Sequence, residues 1–151
     1  MHTAILIGFN DLYSPIGDEP TPWCQLAATD AIAAFHQVDG NLHTIFSRLH
    51  GALGCMGRII VLNYYDAYQN VCAHAPTTEV SSSVTLNTHS ARAAAAFRIP
   101  VADVYAALHG KKTPNPRLCV LTYMCSDGDI HPTPAGHALI AKVLKKTAGY
   151  Q

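Results

Sequence analysis

Residues 4 to 8 have the sequence AILIG, an unbroken apolar run that is followed at once by the turn-forming sequence FND. A short apolar run bounded in this way predicts a buried strand of a parallel sheet that leads into a loop. Residues 58 to 63 (RIIVLN) have the same character and predict a second buried strand. Residues 99 to 104 predict a third strand, and residues 118 to 122 predict a short extended piece.

Helical signals alternate with these strands. Residues 30 to 53 carry apolar side chains at helical spacing, and the alanine-rich residues 84 to 97 also favour a helix. The last helix is the best specified, because Thr133 can cap it, Pro134 suits its first turn and Gly149 can end it. Strands separated by helices predict parallel pairing through right-handed crossovers, hence an α/β fold.

Composition excludes several classes of protein. The 151 residues fit one globular domain, with 49% hydrophobic and 13% charged residues. Ten basic side chains balance ten acidic ones, which argues against nucleic-acid binding because phosphate attraction needs clustered Lys and Arg. No apolar run approaches the roughly 18 residues of a membrane span, and the first residues lack the features of a signal peptide. A small neutral partner is the expectation.

Neither the cysteines nor the histidines predict a metal site. The five cysteines include no CxxC pair, so a zinc ribbon is not expected. His36, His43 and His50 recur every seven residues, which separates neighbours by about 10.5 Å along a helix, too far for ligands of one ion. We expect these histidines to border the apolar stripe of their helix, and we expect no cofactor.

Two of the cysteines, Cys119 and Cys125, flank a five-residue loop. This spacing suits a local disulfide in an exported protein. A pair of free, half-buried thiols is an equally good interpretation of the sequence.

In open α/β sheets, ligands bind outside the carboxyl ends of the strands. Three segments should meet there: residues 8 to 11, the loop that follows Asn63 and the loop before the last helix. The long loop 64–82 is expected to line the site, and Tyr64, Tyr65, Tyr68 and Trp23 predict either an acyl or aromatic pocket or ordinary packing.

His131 and Asn10 are the two candidates for chemistry. His131 should lie beside the positive end of the last helix, which disfavours a second positive charge and suits a neutral general base. Asn10 should point from a strand end into the crevice, where its amide can donate to a developing oxyanion. The alternatives are a loop histidine without a catalytic role and an Asx turn formed by Asn10 and Asp11.

Taken together, two sequence blocks resemble a known family. The strand that ends in ILIGFND and the loop DIHPTPAGH resemble the third and fifth blocks of the SGNH, or GDSL-type, serine ester hydrolases. GRIIVLNYYDAYQN and IPVADVYAAL resemble the intervening strands of exported bacterial members. The resemblance spans nearly the whole chain.

The resemblance implies a three-layer α/β/α, flavodoxin-like fold with a parallel sheet, and acyl transfer from small carboxylic esters without metal or organic cofactor. Asn10 is then an oxyanion donor, Gly8 opens its block and His131 is the general base. Tyr64 and Tyr65 are expected to contact the substrate.

The acid that orients His131 stays open. The family usually has Asp three residues before the histidine, but this chain has Gly128 there. The neighbours Asp127 and Asp129 are both candidates, with Asp129 preferred, and a main-chain carbonyl is the third option.

The nucleophile is the larger departure from the family. The family's serine block and second glycine block precede GxND, but only seven residues precede Gly8 here, so the sequence predicts a truncated, partial hydrolase domain over residues 1–151. No serine of this chain lies in a strand-to-helix nucleophile turn, and Ser14 is the least implausible substitute for the missing nucleophile. The serines are Ser14, Ser47, Ser81, Ser82, Ser83, Ser90 and Ser126.

The resulting expectation is an esterase or lipase of an exported parent family, weakly active or inactive as this chain. The alternative is a non-catalytic binding or interaction module that keeps the same crevice. Without preceding strands, residues 4 to 8 would form an exposed apolar edge, which predicts a homodimer through that edge.

Overall fold

The computed structural model describes residues 2–11, 29–54, 58–70, 82–109, 112 and 114–150. Their strands form one sheet in the order β1-β2-β3, with β1 at His2–Ile5, β2 at Arg58–Leu62 and β3 at Val101–Ala102. Both pairings are parallel, and Val61 lies opposite Ile5 on one side and Val101 on the other. The predicted α/β class with a parallel sheet is therefore confirmed.

Helices connect and follow the strands. They are α1 (Thr29–Leu53), α2 (Ser82–Ala96), α3 (Val104–Ala107), α4 (Leu118–Leu121), α5 (Met124–Asp127) and α6 (Pro134–Ala148). The predicted bounds of α1, α2 and α6 agree with the observed bounds to within two residues. The proline-rich loop predicted at 14–22 lies outside the described residues, as do Trp23, Cys24, Cys55 and Cys72.

The two faces of β2 build two apolar cores. Ile59 and Val61 belong to one core with residues of α1 and α2, including Phe46 and Leu86, which are fully buried. Ile60 and Leu62 belong to the other core, which α3, α4 and α6 cover. Alternate side chains of a strand point to opposite faces, so one apolar strand holds helices on both sides of the sheet.

The structure corrects the ends of two predicted strands. β1 ends at Ile5 rather than Gly8, because its pairing with β2 stops there, and Leu6 and Ile7 are 46% and 37% exposed before the chain bends at Gly8. β3 has only two residues, because Asp103 begins a helix instead of continuing the strand. Its carboxylate accepts from the backbone N–H of Ala106 at 3.0 Å.

Residues 118 to 122 are not extended as predicted, since Leu118–Leu121 forms the helical turn α4. The buried Asn115 starts this turn by accepting from the N–H of Arg117 at 3.0 Å. Thr122 alone is extended and forms an isolated antiparallel bridge with Pro132. The apolar residues of this segment suit either structure, so their pattern alone does not decide between a helical turn and a strand.

Helix α6 has the predicted ends. Thr133 Oγ1 accepts from the N–H of Gly136 at 3.2 Å, and Pro134 occupies the first turn. Gly149 adopts a left-handed conformation after the last turn, where its N–H and that of Tyr150 bond to the carbonyls of Lys146 and Lys145.

Two further features concern the surface of the described part of the chain. Within it, no helix combines the length and apolarity that a membrane crossing requires. Strand β1 lies at one edge of the described sheet and pairs with β2 alone.

Candidate functional site

A cavity of about 580 Å³ lies beyond the carboxyl ends of β1 and β2. The segment after β1, the segment after β2 and the loop before α6 all contribute to its walls. Asn10 and His131 both line it, so the structure brings together the two residues that the sequence analysis singles out. Gly8, Tyr64 and Tyr65 line it as well.

Gly8 shapes the wall that follows β1. Its φ is +111°, a conformation that residues with a side chain rarely adopt. A Cβ at this position would lie 3.1 Å from Leu86 Cδ1 and 3.6 Å from Val38 Cγ1. Gly8 therefore allows the backbone to turn closely over α1 and α2 and to bring Asn10 to the cavity.

The side-chain amide of Asn10 is exposed and makes no hydrogen bond to the described residues. Its neighbour Asp11 accepts from Asn41 Nδ2 on α1 at 3.5 Å. The described contacts thus contain no Asx turn by Asn10, and both N–H groups of its amide remain free to donate to a ligand.

His131 is held by Asp129, not by Asp127. Asp129 Oδ1 accepts from the backbone N–H of His131 at 2.9 Å and lies 2.5 Å from its Nδ1. A carboxylate can only accept, so the neutral imidazole carries its proton on Nδ1 and leaves the lone pair on Nε2. Asp127 instead accepts from Ser126 Oγ at 2.9 Å.

The two bonds from His131 also act on the carboxyl of Asp129. The backbone N–H of His131, followed by its ring N–H, lowers the pKa of Asp129 below its ordinary 3.8. The Asp129 side chain is thus a carboxylate at neutral pH and can stabilise an imidazolium that forms at His131.

The loop that carries His131 is fixed to the segment 118–127. The carbonyl of His131 accepts from the N–H of Tyr123 at 3.0 Å, and Thr133 N–H donates to Leu121 O at 3.0 Å. Thr133 Oγ1 donates to Val120 O at 2.9 Å. A disulfide between Cys119 and Cys125 closes this same segment, which decides between the two interpretations of these cysteines.

Gly136 permits the close contact between α6 and this segment. A Cβ on Gly136 would overlap the carbonyl oxygen of Leu121 and lie 2.9 Å from Pro132 Cβ. This role of Gly136 was not predicted, although a glycine in the first turn of a capped helix is the sequence signal that could have found it.

Tyr65 ties the same loop to the end of β2. Its hydroxyl donates to the carbonyl oxygen of Ile130 at 2.5 Å. Burial, with the nearby carboxylate of Asp129, raises the pKa of Tyr65 to about 12. The phenol therefore stays protonated and keeps this hydrogen bond at any physiological pH.

Tyr64 supports the opposite wall. Its hydroxyl accepts from the N–H of Phe9 at 3.4 Å, and the two rings are 5.4 Å apart. Burial raises the pKa of Tyr64 as well. The backbone N–H and C=O of Tyr64 both pair with the side-chain amide of Asn87 at 2.7 Å, which anchors the cavity wall to α2.

No serine of the described residues hydrogen-bonds to His131. Ser126 bonds to Tyr123 O and Asp127, and Ser47 lies on an exposed face of α1. Three further serines are buried in α2, namely Ser82, Ser83 and Ser90. Ser14 and Ser81 lie outside the described residues.

The remaining aromatic and histidine side chains divide between cavity and core. His137 is exposed on the surface of α6 and lines the cavity from the first turns of that helix. Tyr68 packs against the core of α1 and α2 instead of the cavity. His43 and His50 contact the ring of Phe97, as expected for residues beside the apolar stripe.

The parts of the chain that the structure describes contain no group of three or more His, Cys, Asp or Glu side chains arranged to hold a metal ion. Comparison with known proteins finds no matching family model, no matching curated protein and no matching solved structure.

The Asp129 pair gives a pH prediction. A carboxyl whose pKa is lowered by folding stabilises its loop above the ordinary pKa, and this contribution is lost as pH falls through the lowered value. We expect the carboxyl ¹³C resonance of Asp129 to titrate with a midpoint below 3.8. In the His131→Ala variant the titration midpoint of Asp129 should rise only part of the way to 3.8, because the backbone N–H of residue 131 still donates to the carboxylate. A wild-type midpoint at or above 3.8 would contradict the geometry.

Proposed function

We propose that this chain carries the substrate crevice of an SGNH-type carboxylic ester hydrolase. The observation on which the proposal rests is that Asn10 and His131 line one cavity, with Asp129 on the Nδ1 side of the imidazole. In this proposal Asn10 donates to the oxyanion, His131 is the general base and Asp129 orients it.

The polar groups suit the charges that develop in acyl transfer. An amide aimed at an oxyanion supplies roughly 3 kcal/mol of transition-state stabilisation. His131 Nε2 has no partner among the described residues, so it can accept a proton from an attacking hydroxyl or water. Asp129 stabilises the imidazolium that results.

The apolar walls suit the acyl or alcohol part of a small ester. They include Leu6, Phe9, Ile130, Pro132 and Ile140. A volume of about 580 Å³ lies within the range of small-molecule sites, which is roughly 300–1,000 Å³. A few polar groups among apolar walls are typical of sites that fix the orientation of an uncharged substrate.

Two structural features add support. A parallel sheet with helices on both faces is compatible with the three-layer fold of this family. The disulfide between Cys119 and Cys125 suits an oxidising compartment, in line with an exported parent family.

Without a serine beside His131 in the described residues, the proposal predicts ester binding with little turnover. Only base-assisted attack by water remains, and loss of one member of a catalytic unit typically removes most of the rate. We expect hydrolysis of 4-nitrophenyl butyrate by the chain to stay close to the buffer rate, and no serine to react with an alkyl fluorophosphonate. Turnover that disappears in His131→Ala, or a labelled serine, would contradict this expectation.

Binding is tested with butyl methylphosphonate, a stable tetrahedral anion that mimics the acyl-transfer intermediate. Its addition should shift the amide resonances of residues 8–11, 130 and 131. Since a hydrogen bond to a charged group contributes about 1.5–3 kcal/mol, Asn10→Ala should weaken binding by roughly tenfold or more. Gln37→Ala removes an exposed amide on α1 away from the cavity and is the matched control. Equal affinity of wild type and Asn10→Ala would overturn the role of Asn10.

The edge position of β1 favours a second candidate, an interaction module that associates through this strand. β1 pairs on one side within the described sheet, and the apolar Leu6 and Ile7 that follow it are exposed. Such an edge is a template for pairing with another chain. Light scattering after size-exclusion chromatography should then show a dimer whose fraction rises with concentration. A monomer at all concentrations would remove this candidate.

A further inference from the structure

A second cavity, of about 290 Å³, lies at the beginning of β2, at the opposite end of this strand from Tyr64 and Tyr65. Its lining residues include two arginines and a histidine, Arg58, Arg98 and His50, and no acidic residue of the described chain. The remaining wall is largely apolar and includes Phe97 and Ile99. The cavity thus combines positive charge with an apolar lining.

The two arginines carry unneutralised charge. Neither side chain makes an ion pair or hydrogen bond with the described residues, whereas Arg92 pairs with Asp39 at 3.1 Å. The end of α6 also borders the cavity, but its last carbonyls accept from Gly149 and Tyr150. Since a guanidinium offers five donors in a fixed fork, two free ones at one cavity fit a carboxylate or phosphate group.

The backbone of Arg98 strengthens this interpretation. Ile99 N–H bonds to Ala94 O at 2.9 Å and Arg98 N–H bonds to Ala95 O at 3.0 Å, which is the Schellman motif at the end of α2. Arg98 has a φ of +55° at the position where such motifs usually have glycine. The chain therefore carries a guanidinium at this cavity where glycine would fit the backbone better.

We propose that this cavity binds a small organic acid, with its oxyanion head between Arg58 and Arg98 and its apolar body against Phe97 and Ile99. Carboxylates with short aliphatic or aromatic bodies match both the volume and the lining. The site is independent of the crevice around His131, because the two cavities share no lining residue in the described chain.

Isothermal titration with hexanoate tests the proposal, with 1-hexanol as the uncharged probe of the same apolar body. Hexanoate should bind and shift amide resonances around residues 58 and 97–99, whereas hexanol should bind at least tenfold more weakly. Arg58→Gln and Arg98→Gly should each weaken the binding of hexanoate by roughly tenfold, the expected effect of losing one charge-assisted contact. Arg48→Gln, which removes an exposed arginine of α1 outside the cavity, should bind as the wild type does.

Arg98→Gly also separates binding from folding. Glycine suits the left-handed backbone, so the melting temperature of this variant should equal that of the wild type or exceed it by up to roughly 2–4 °C. His131→Ala should leave hexanoate binding at this cavity unchanged, which distinguishes it from occupancy of the first cavity. Unchanged affinity in both arginine variants, or equal affinity for hexanol, would overturn the proposal.

Discussion

Replacing Gly136 with alanine is expected to destabilise the protein by about 3 kcal/mol, the upper part of the range for overpacking a buried position. The added Cβ would overlap the backbone carbonyl of Leu121, and backbone cannot rotate away as a flexible side chain can. Helix α6 would have to move away from the segment that holds Thr133. For a chain of this size the melting temperature should fall by roughly 6–12 °C.

Gly40→Ala is the matched control for this substitution. Gly40 lies in α1, and a Cβ there would meet no atom within 4 Å. Alanine in a helix interior is favoured over glycine by roughly 0.5–1 kcal/mol, so this variant should be more stable than the wild type. Thermal melts of the two variants should therefore shift in opposite directions. A Gly136→Ala protein as stable as the wild type would contradict the close contact between α6 and Leu121.

Removing the disulfide with Cys119→Ser and Cys125→Ser is expected to cost roughly 2 kcal/mol, the loop-closure value for a loop of this size. The bridge joins residues six apart in sequence. Between them lie Val120, Leu121 and Tyr123, which hydrogen-bond to the loop of His131. We therefore expect faster amide exchange at Tyr123 and Thr133 as well as lower global stability.

A reducing agent separates this effect from that of the serine substitutions. Reduction should lower the melting temperature of the wild type more than that of the double variant, in which this bridge is absent. Equal shifts in the two proteins would show that the bridge does not stabilise the segment.

Local signals explain how much of the fold the sequence predicts. Helix α6 has a capping threonine, an N-terminal proline and a terminal glycine within its own residues, so its bounds follow directly. The helical spacing of apolar residues in α1 is likewise a signal within the helix itself, so it predicts where this helix lies. Residues 118 to 122 could not be assigned from such signals, because Asn115, whose side chain accepts from the N–H of Arg117 just before them, is itself held by residues far away in the sequence.

That side chain belongs to a buried hydrogen-bond group from distant parts of the chain. Asn115 Nδ2 donates to Gln69 Oε1 at 3.0 Å and to Leu108 O at 2.7 Å. Its backbone N–H and C=O pair with the side-chain amide of Asn70 at 2.6 and 2.9 Å. Composition and periodicity contain no information about such pairings.

For the site, the sequence predicts which segments meet but not the hydrogen bonds that hold them in place. Parallel topology brings the residues after β1 and after β2 to one sheet end, but the loop before α6 follows the helical turn α5, so the pairing of Asn10 with His131 is predicted from an expected strand at 118–122 and from the resemblance of their two sequence blocks. Asp129 could only be preferred over Asp127, since the choice depends on the turn that its carboxylate forms with the N–H of His131. The bond from Tyr65 to Ile130 joins residues 65 apart and has no sequence signal.

The hydrogen bonds that hold the His131 loop differ in sequence range. Its bonds to Val120, Leu121 and Tyr123 join residues 13 or fewer positions apart, while the bond from Tyr65 spans 65 positions. Short-range contacts close small loops and form early in folding, since loop closure costs more entropy as loops lengthen. We therefore expect residues 118–148 to behave as a foldon, a cooperative unit that assembles its imidazole loop first and docks onto the sheet afterwards.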